Sequence, residues 1–162
     1  MRISILSFFN QTIMNTSIKK KHIGVISKKQ HRVFKDFRGE LTPLEFSELP
    51  FKVHRLFYVK NVPAGAIRGE HAHFQTKQFL ICLKGQIEVG LETNNYKTIL
   101  LNENEGVFID KMIWDWQRFL TNDSILLVLC SSSYSKDDYI FDKQHFLDIL
   151  NNEVSINSNS CL

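Results

Sequence analysis

Short apolar runs separated by turn-forming residues recur along this 162-residue chain, and they leave room for little but a packed β structure. Residues 22–26, 41–46, 53–59, 78–83, 86–91, 98–101, 107–109 and 125–130 read as strands, being apolar, of strand length and bounded by polar or turn residues. Lys84-Gly85 and Asn94-Asn95 read as hairpin turns, because glycine and asparagine tolerate positive φ. One segment has helical spacing: Asp142 can cap a helix that runs to Leu150, with Phe146, Ile149 and Leu150 on one stripe. Many short strands with tight turns predict a sandwich or barrel. The expected organisation is one all-β domain over residues 22–150 with a short C-terminal helix. Residues 1–21 would form an extension outside it, and the Asn/Ser-rich residues 151–162 a frayed polar tail.

Composition agrees with a packed domain, since 43% of residues are hydrophobic and 13 are phenylalanine. A net charge of +3 creates no demand for a nucleic-acid partner. Basic residues concentrate early, at Lys19, Lys20, Lys21, Lys28, Lys29, Arg32, Lys35 and Arg38, and read as a solvated segment. Cys82 and Cys130 sit inside apolar runs and Cys161 in the tail, without metal or redox spacing. Buried free thiols fit a reducing compartment. The apolar stretch at residues 3–9 is too short to span a bilayer and lacks a cleavage pattern, so no membrane partner and a cytoplasmic location are expected.

The chemistry concentrates in Gly65-Ala-Ile-Arg68-Gly-Glu-His71-Ala-His73, followed by Gln78 and Gly85. This spacing resembles the first cupin motif, except that Gln78 stands where the acid belongs. The second motif would begin at Gly106, but Met112, Trp114 and Gln117 replace its proline, glycine and histidine. The resemblance implies a double-stranded β-helix, the cupin or jelly-roll barrel. Two of four metal ligands are replaced by neutral amides, which are poor ligands for a transition metal, so no catalytic metal is expected. Residues two apart on a strand face one side, so His71 and His73 project together, with Arg68 just upstream. Two imidazoles and a guanidinium suit enolisation beside a carbonyl: a base takes the α-proton and a donor stabilises the enolate oxygen. The Tyr58 hydroxyl is a candidate proton donor. Trp114 and Trp116 share a face of a regular strand and are candidates, with Phe57 and Phe119, to wall a cavity.

Beyond the cupin spacing, the chain resembles the nucleotide-sugar 3,4-ketoisomerases over residues 22–150. The resemblance rests on Asp36-Phe-Arg-Gly39-Glu-Leu41 with Glu45, and on Phe51-Lys-Val-His-Arg55-Leu-Phe-Tyr58. It continues through Arg68-Gly-Glu-His71-Ala-His73, Gln78 and Trp114, then Leu126-Leu-Val-Leu-Cys-Ser131, Tyr134 and Asp137-Asp138-Tyr139-Ile140. It implies an isomerase that moves the keto group of dTDP-4-keto-6-deoxyglucose from C4 to C3 through an enediol, with no cofactor. By similarity His73 is the base and His71 its partner, while Arg68 and Tyr58 position the sugar or stabilise the enediolate. Arg55, Gln78, Trp114, Trp116 and Gln117 would line the substrate site. Family members are dimers that exchange N-terminal strands, which would let Arg55 or the segment near Arg38 reach the nucleotide across the interface. The product would feed an aminotransferase making a 3-amino-3,6-dideoxy sugar for a glycosylated metabolite or for surface polysaccharide, such as the O-antigen of lipopolysaccharide. Phe74 departs from the family pattern, where many relatives carry a polar or basic residue. The alternatives are a metal-free 3,5-epimerase, which would exchange protons at C3 and C5, and a noncatalytic sugar-nucleotide-binding cupin.

Overall fold

The structure is a computed structural model that describes residues 28–159, with side chains described to residue 152. Two five-stranded antiparallel sheets face one another. The first has the order β1 (Lys28–Gln30), β9 (Glu105–Ile109), β6 (Gln78–Lys84), β11 (Ile125–Cys130) and β4 (Arg55–Val59). The second has the order β12 (Tyr139–Ile140), β5 (Ile67–His73), β10 (Trp114–Phe119), β7 (Gln86–Glu92) and β8 (Tyr96–Asn102). A separate hairpin, β2 (Phe34–Asp36) with β3 (Gly39–Leu41), precedes them. This is the all-β architecture that the short runs predict, in the double-stranded barrel form that the cupin resemblance implies.

Alternation along the strands explains the core. Leu80 and Cys82, Ile87, Val89 and Leu91, Val107 and Ile109, Leu126 and Val128, and Phe119 meet between the sheets, all buried. Strand β6 reads as a continuous apolar run because its other face is covered too. Phe79 and Ile81 lie with Phe108 and Leu129 under Leu44, Leu49, Phe51 and Val53, a segment that crosses the back of the first sheet. The back of the second sheet is closed by α1 (Lys143–Asn159), whose Phe146 is fully buried against Ala72, Trp114 and Ile140. Asp142 caps this helix through Oδ1, which accepts from the His145 amide at 2.8 Å.

Several local expectations are corrected. Lys84-Gly85 is not a hairpin: β6 belongs to the first sheet and β7 to the second, so the turn is a corner between layers. Gly85 has φ +73°, and a Cβ there would lie 2.3 Å from Thr121 Oγ1, so only glycine fits this corner. Asn94-Asn95 does join the hairpin β7–β8. Residues 41–46 do not form a strand, because the chain leaves β3 at Leu41 and reaches only a 3-10 turn at Phe46–Glu48. The helix continues past Leu150 to Asn159, so most of the proposed frayed tail is helical backbone. The extension at residues 1–21 and the strand at 22–26 lie outside the described residues.

Candidate active site

Strand β5 carries the histidines, and its pairing with β10 is interrupted once. His71 lies opposite Asp115 and Gly69 opposite Trp116, so Glu70 is an extra residue on β5. Gly69 at φ +85° and Glu70 at φ +59° turn the backbone there. A Cβ on Gly69 would come within 2.9 Å of the Gln117 amide nitrogen, so the bulge also lets this side chain approach the backbone. Beyond the bulge Arg68 lies opposite Gln117, and its side chain is exposed. The bulge thus puts Arg68 and His71, three residues apart, in register with two interior positions of β10.

His73 is the most constrained of the histidines. Its ring lies 4.9 Å from that of His71, edge to face, and it is 4% exposed. Nδ1 lies 3.0 Å from Asp138 Oδ2, and Nε2 lies 3.2 Å from Gln78 Nε2. Burial, with the charges of His71 and Arg55, outweighs Asp138 and lowers the His73 pKa to about 4. At neutral pH the ring is therefore neutral. Since the Gln78 amide can only donate, Nε2 is the acceptor and Nδ1–H donates to Asp138. His71 is also lowered by burial, against a hydrogen bond to the Gly69 carbonyl.

Asp138 is held from several sides. It accepts from the Gln75 amide at 2.7 Å, the Thr76 amide at 3.2 Å, the Thr76 hydroxyl and His73. Partial burial works against its charge, but these hydrogen bonds prevail and keep the carboxyl below the usual range. A fixed carboxylate behind a neutral imidazole is the arrangement of an oriented general base. Next to it, Tyr139 pairs with His73 across β12 and β5, its ring 4.3 Å from His73 and 5.0 Å from His71. Arg55 Nη2 lies 3.4 Å from the Tyr139 hydroxyl and 3.4 Å from Cys130 Sγ. Deeper in the barrel, Asp115 is fully buried and accepts from Gln117 Nε2. Burial pushes its carboxyl up to about 7 despite that bond. Among the described residues no three His, Cys, Asp or Glu side chains form a set that could hold a metal.

The expected site residues therefore separate into two groups. His71, His73, Gln78, Gln117 and Arg55 are brought to the interior end of the barrel, with Arg68 at its exposed margin. Tyr58 is not: on β4 the interior positions are Arg55, Phe57 and Val59, and Tyr58 is 60% exposed on the opposite face. Trp114 and Trp116 share a face as expected, but it is the outer one. Trp114 packs on Phe146 of α1, 5.6 Å between ring centres, and Trp116 lies over Gly90 under Arg118. Arg55 contacts the cluster of its own chain, beside Tyr139. Asp138, Tyr139 and Asp115 were not among the expected site residues. Asp115 had one usable signal, its two-residue offset from Gln117 on the same strand.

Residues 24–151 match the family described as FdtA: WxcM-like, C-terminal. The chain is 30% identical over 114 residues to a TDP-4-oxo-6-deoxy-alpha-D-glucose-3,4-oxoisomerase of Aneurinibacillus thermoaerophilus, covering 68% of this chain and 82% of that protein. It superposes at TM-score 0.73 and 35% identity on a 3,4-ketoisomerase from Helicobacter canadensis, covering 78% of this chain and 97% of the other. At TM-score 0.73 and 30% identity it also superposes on QdtA of Thermoanaerobacterium thermosaccharolyticum, a 3,4-ketoisomerase. That structure is a histidine-to-asparagine variant in complex with TDP-4-keto-6-deoxyglucose, and the match covers 78% of this chain and 94% of QdtA.

Proposed function

The chain belongs to the FdtA (WxcM-like, C-terminal) family, and from that membership we propose that it is a sugar 3,4-ketoisomerase acting on dTDP-4-keto-6-deoxyglucose. The observation that carries the chemistry is His73: neutral, oriented by Asp138 at Nδ1, with an Nε2 lone pair that the Gln78 amide holds until substrate displaces that hydrogen bond. His73 removes the C3 proton, the electron pair forms the C3–C4 double bond, and the carbonyl pair moves to O4. Return of a proton to C4 with loss of the O3 proton leaves the ketone at C3. Both electrons stay in the sugar, so no redox cofactor enters the balance. His71, against the edge of His73, keeps the pair from charging together and partners the proton transfer. Arg68 at the rim and Gln78 and Gln117 within hold the hexose and its diphosphate.

A homodimer exchanging N-terminal strands fits two features of the surface. Among the described residues strand β1 sits at the sheet edge, paired only with β9, and Leu56 and Tyr58 expose apolar area on β4 of the same sheet. Light scattering of the purified protein tests this. Among the described residues no helix is long and apolar enough to cross a membrane, and a nucleotide-sugar substrate fits a cytoplasmic enzyme. A 3-keto-6-deoxyhexose product suits a following aminotransferase.

Proton NMR of dTDP-4-keto-6-deoxyglucose with the protein in deuterium oxide tests the activity. Conversion to a 3-keto sugar carrying deuterium at C4, lost in His73→Ala, is expected. Exchange at C3 and C5 without ketone migration would replace this reading with an epimerase.

A further inference from the structure

We propose that Tyr139, held by Arg55, is the group that carries the oxygen-bound proton from O3 to O4 of the sugar. The inference rests on the ketoisomerase reading above and assigns the half of the reaction that His73 leaves open. Moving a ketone between adjacent carbons transfers two protons: one from C3 to C4, and one from O3 to O4. An imidazole over the carbon skeleton serves the first. The second needs a group that can give a proton to one oxygen and take one from its neighbour.

Four observations select Tyr139. Its position is fixed by pairing with His73 across β5 and β12, and its ring is 4.3 Å from the His73 ring, so its hydroxyl and the base belong to one site. The ring is stacked on Phe141 at 5.2 Å and packed by Tyr134 at 5.7 Å, which limits its freedom. Arg55 donates to the hydroxyl oxygen at 3.4 Å, and the described residues supply no acceptor for the hydroxyl proton. The hydroxyl is therefore polarised by a cation and left with its own proton to give.

The fourth observation is Arg55 itself. The guanidinium is half-buried between the Phe57 and Tyr134 rings, at 5.0 and 5.5 Å, yet no carboxylate of the described residues pairs with it. Its Nε is buried without a hydrogen-bond partner. A desolvated cation without a counter-ion is placed to stabilise negative charge that arises during turnover. Tyrosinate is that charge. When C3 loses its proton to His73, O4 takes the proton of Tyr139 and the phenolate forms beside Arg55. The phenolate then takes the O3 proton as the C3 ketone forms, and His73 returns its proton to C4. Tyr139 and His73 end in their starting states. Arg55 acts through Tyr139 and is a positioning residue.

Tyr139→Phe and site-specific 3,5-difluorotyrosine at position 139 test this, assayed by kcat and KM on dTDP-4-keto-6-deoxyglucose. Tyr139→Phe is expected to lower kcat by about 10²- to 10³-fold with KM changed less than about fivefold. The fluorinated residue keeps size and hydroxyl but ionises more readily. It is expected to fold, turn over and move the alkaline limb of kcat to lower pH. The other titratable groups around Tyr139 are His71, His73, Tyr134 and Arg55, with Cys130 beyond Arg55, all unaltered in that protein. A kcat within twofold of wild type for Tyr139→Phe, or an alkaline limb unmoved by fluorination, overturns the assignment of Tyr139 alone. Wild-type protein without turnover overturns the ketoisomerase reading and this inference with it.

Discussion

Lowering the pH from 7 to 5 should leave the base almost fully competent, although an ordinary histidine would be lost. With a pKa of about 4, His73 is about 90% neutral at pH 5, whereas an unperturbed imidazole at 6.5 would be about 3% neutral. The structure thus predicts an approximately 30-fold higher kcat/KM at pH 5 than a solvent-exposed base would give, with the acid limb near 4. Stability provides an independent measure with a defined sign. The folded pKa lies below the unfolded value, so the unfolded chain binds more protons and stability falls as pH drops from 6.5 towards 4. From pH 7 to 4.5 the His73 contribution lost is about 2 kcal/mol by the linkage relation. Urea unfolding of wild type and His73→Gln at both pH values measures it together with the response of Asp138 and His71, the titrating groups that touch His73. The wild type should lose about 2 kcal/mol more than the variant. An acid limb near 6.5, or equal losses in the two proteins, would refute a desolvated neutral base.

Asp115 should act in the opposite direction: its raised pKa favours the protonated form, so stability falls as pH rises through 7. Asp115→Asn, which keeps an acceptor for Gln117, is expected to gain up to about 4 kcal/mol at pH 8 over wild type in chemical unfolding, and little at pH 4. Phe146→Ala removes a helix side chain fully buried against Trp114 and Ile140 and should cost about 3–5 kcal/mol, read in the same assay. Gly85→Ala meets both a positive φ and Thr121 Oγ1 at 2.3 Å, and should cost about 1–3 kcal/mol with a lowered melting temperature.

The sequence makes the strands legible where one face is apolar and regular, as in β4, β6, β7 and β11. It is silent about β1, β2 and β12, which are two or three residues long and held by pairing partners far away in the chain. Lys84-Gly85 shows the limit of turn chemistry: a glycine reports positive φ but not whether the next strand pairs with the last or crosses to the other layer. The His-x-His spacing places two imidazoles together because they lie after the bulge, where the strand alternates regularly. Tyr58 was misdirected by proximity in the motif, because the alternation of β4 gives the interior to Arg55 and Phe57 instead. Asp138 escapes any local reading, since it lies 65 residues from His73 and meets it only through the β12–β5 pairing.

That late position of β12 has a consequence for synthesis. A ribosome delivers both imidazoles about 65 residues before the carboxylate and phenol that equip them. A chain arrested after β11 would hold its histidines without Asp138 or Tyr139, and would leave Ala72 and Trp114 uncovered by Ile140 and Phe146. The aiming of the base and the closing of the second sheet's outer face would therefore arrive together, with the last strand and the helix that follows it.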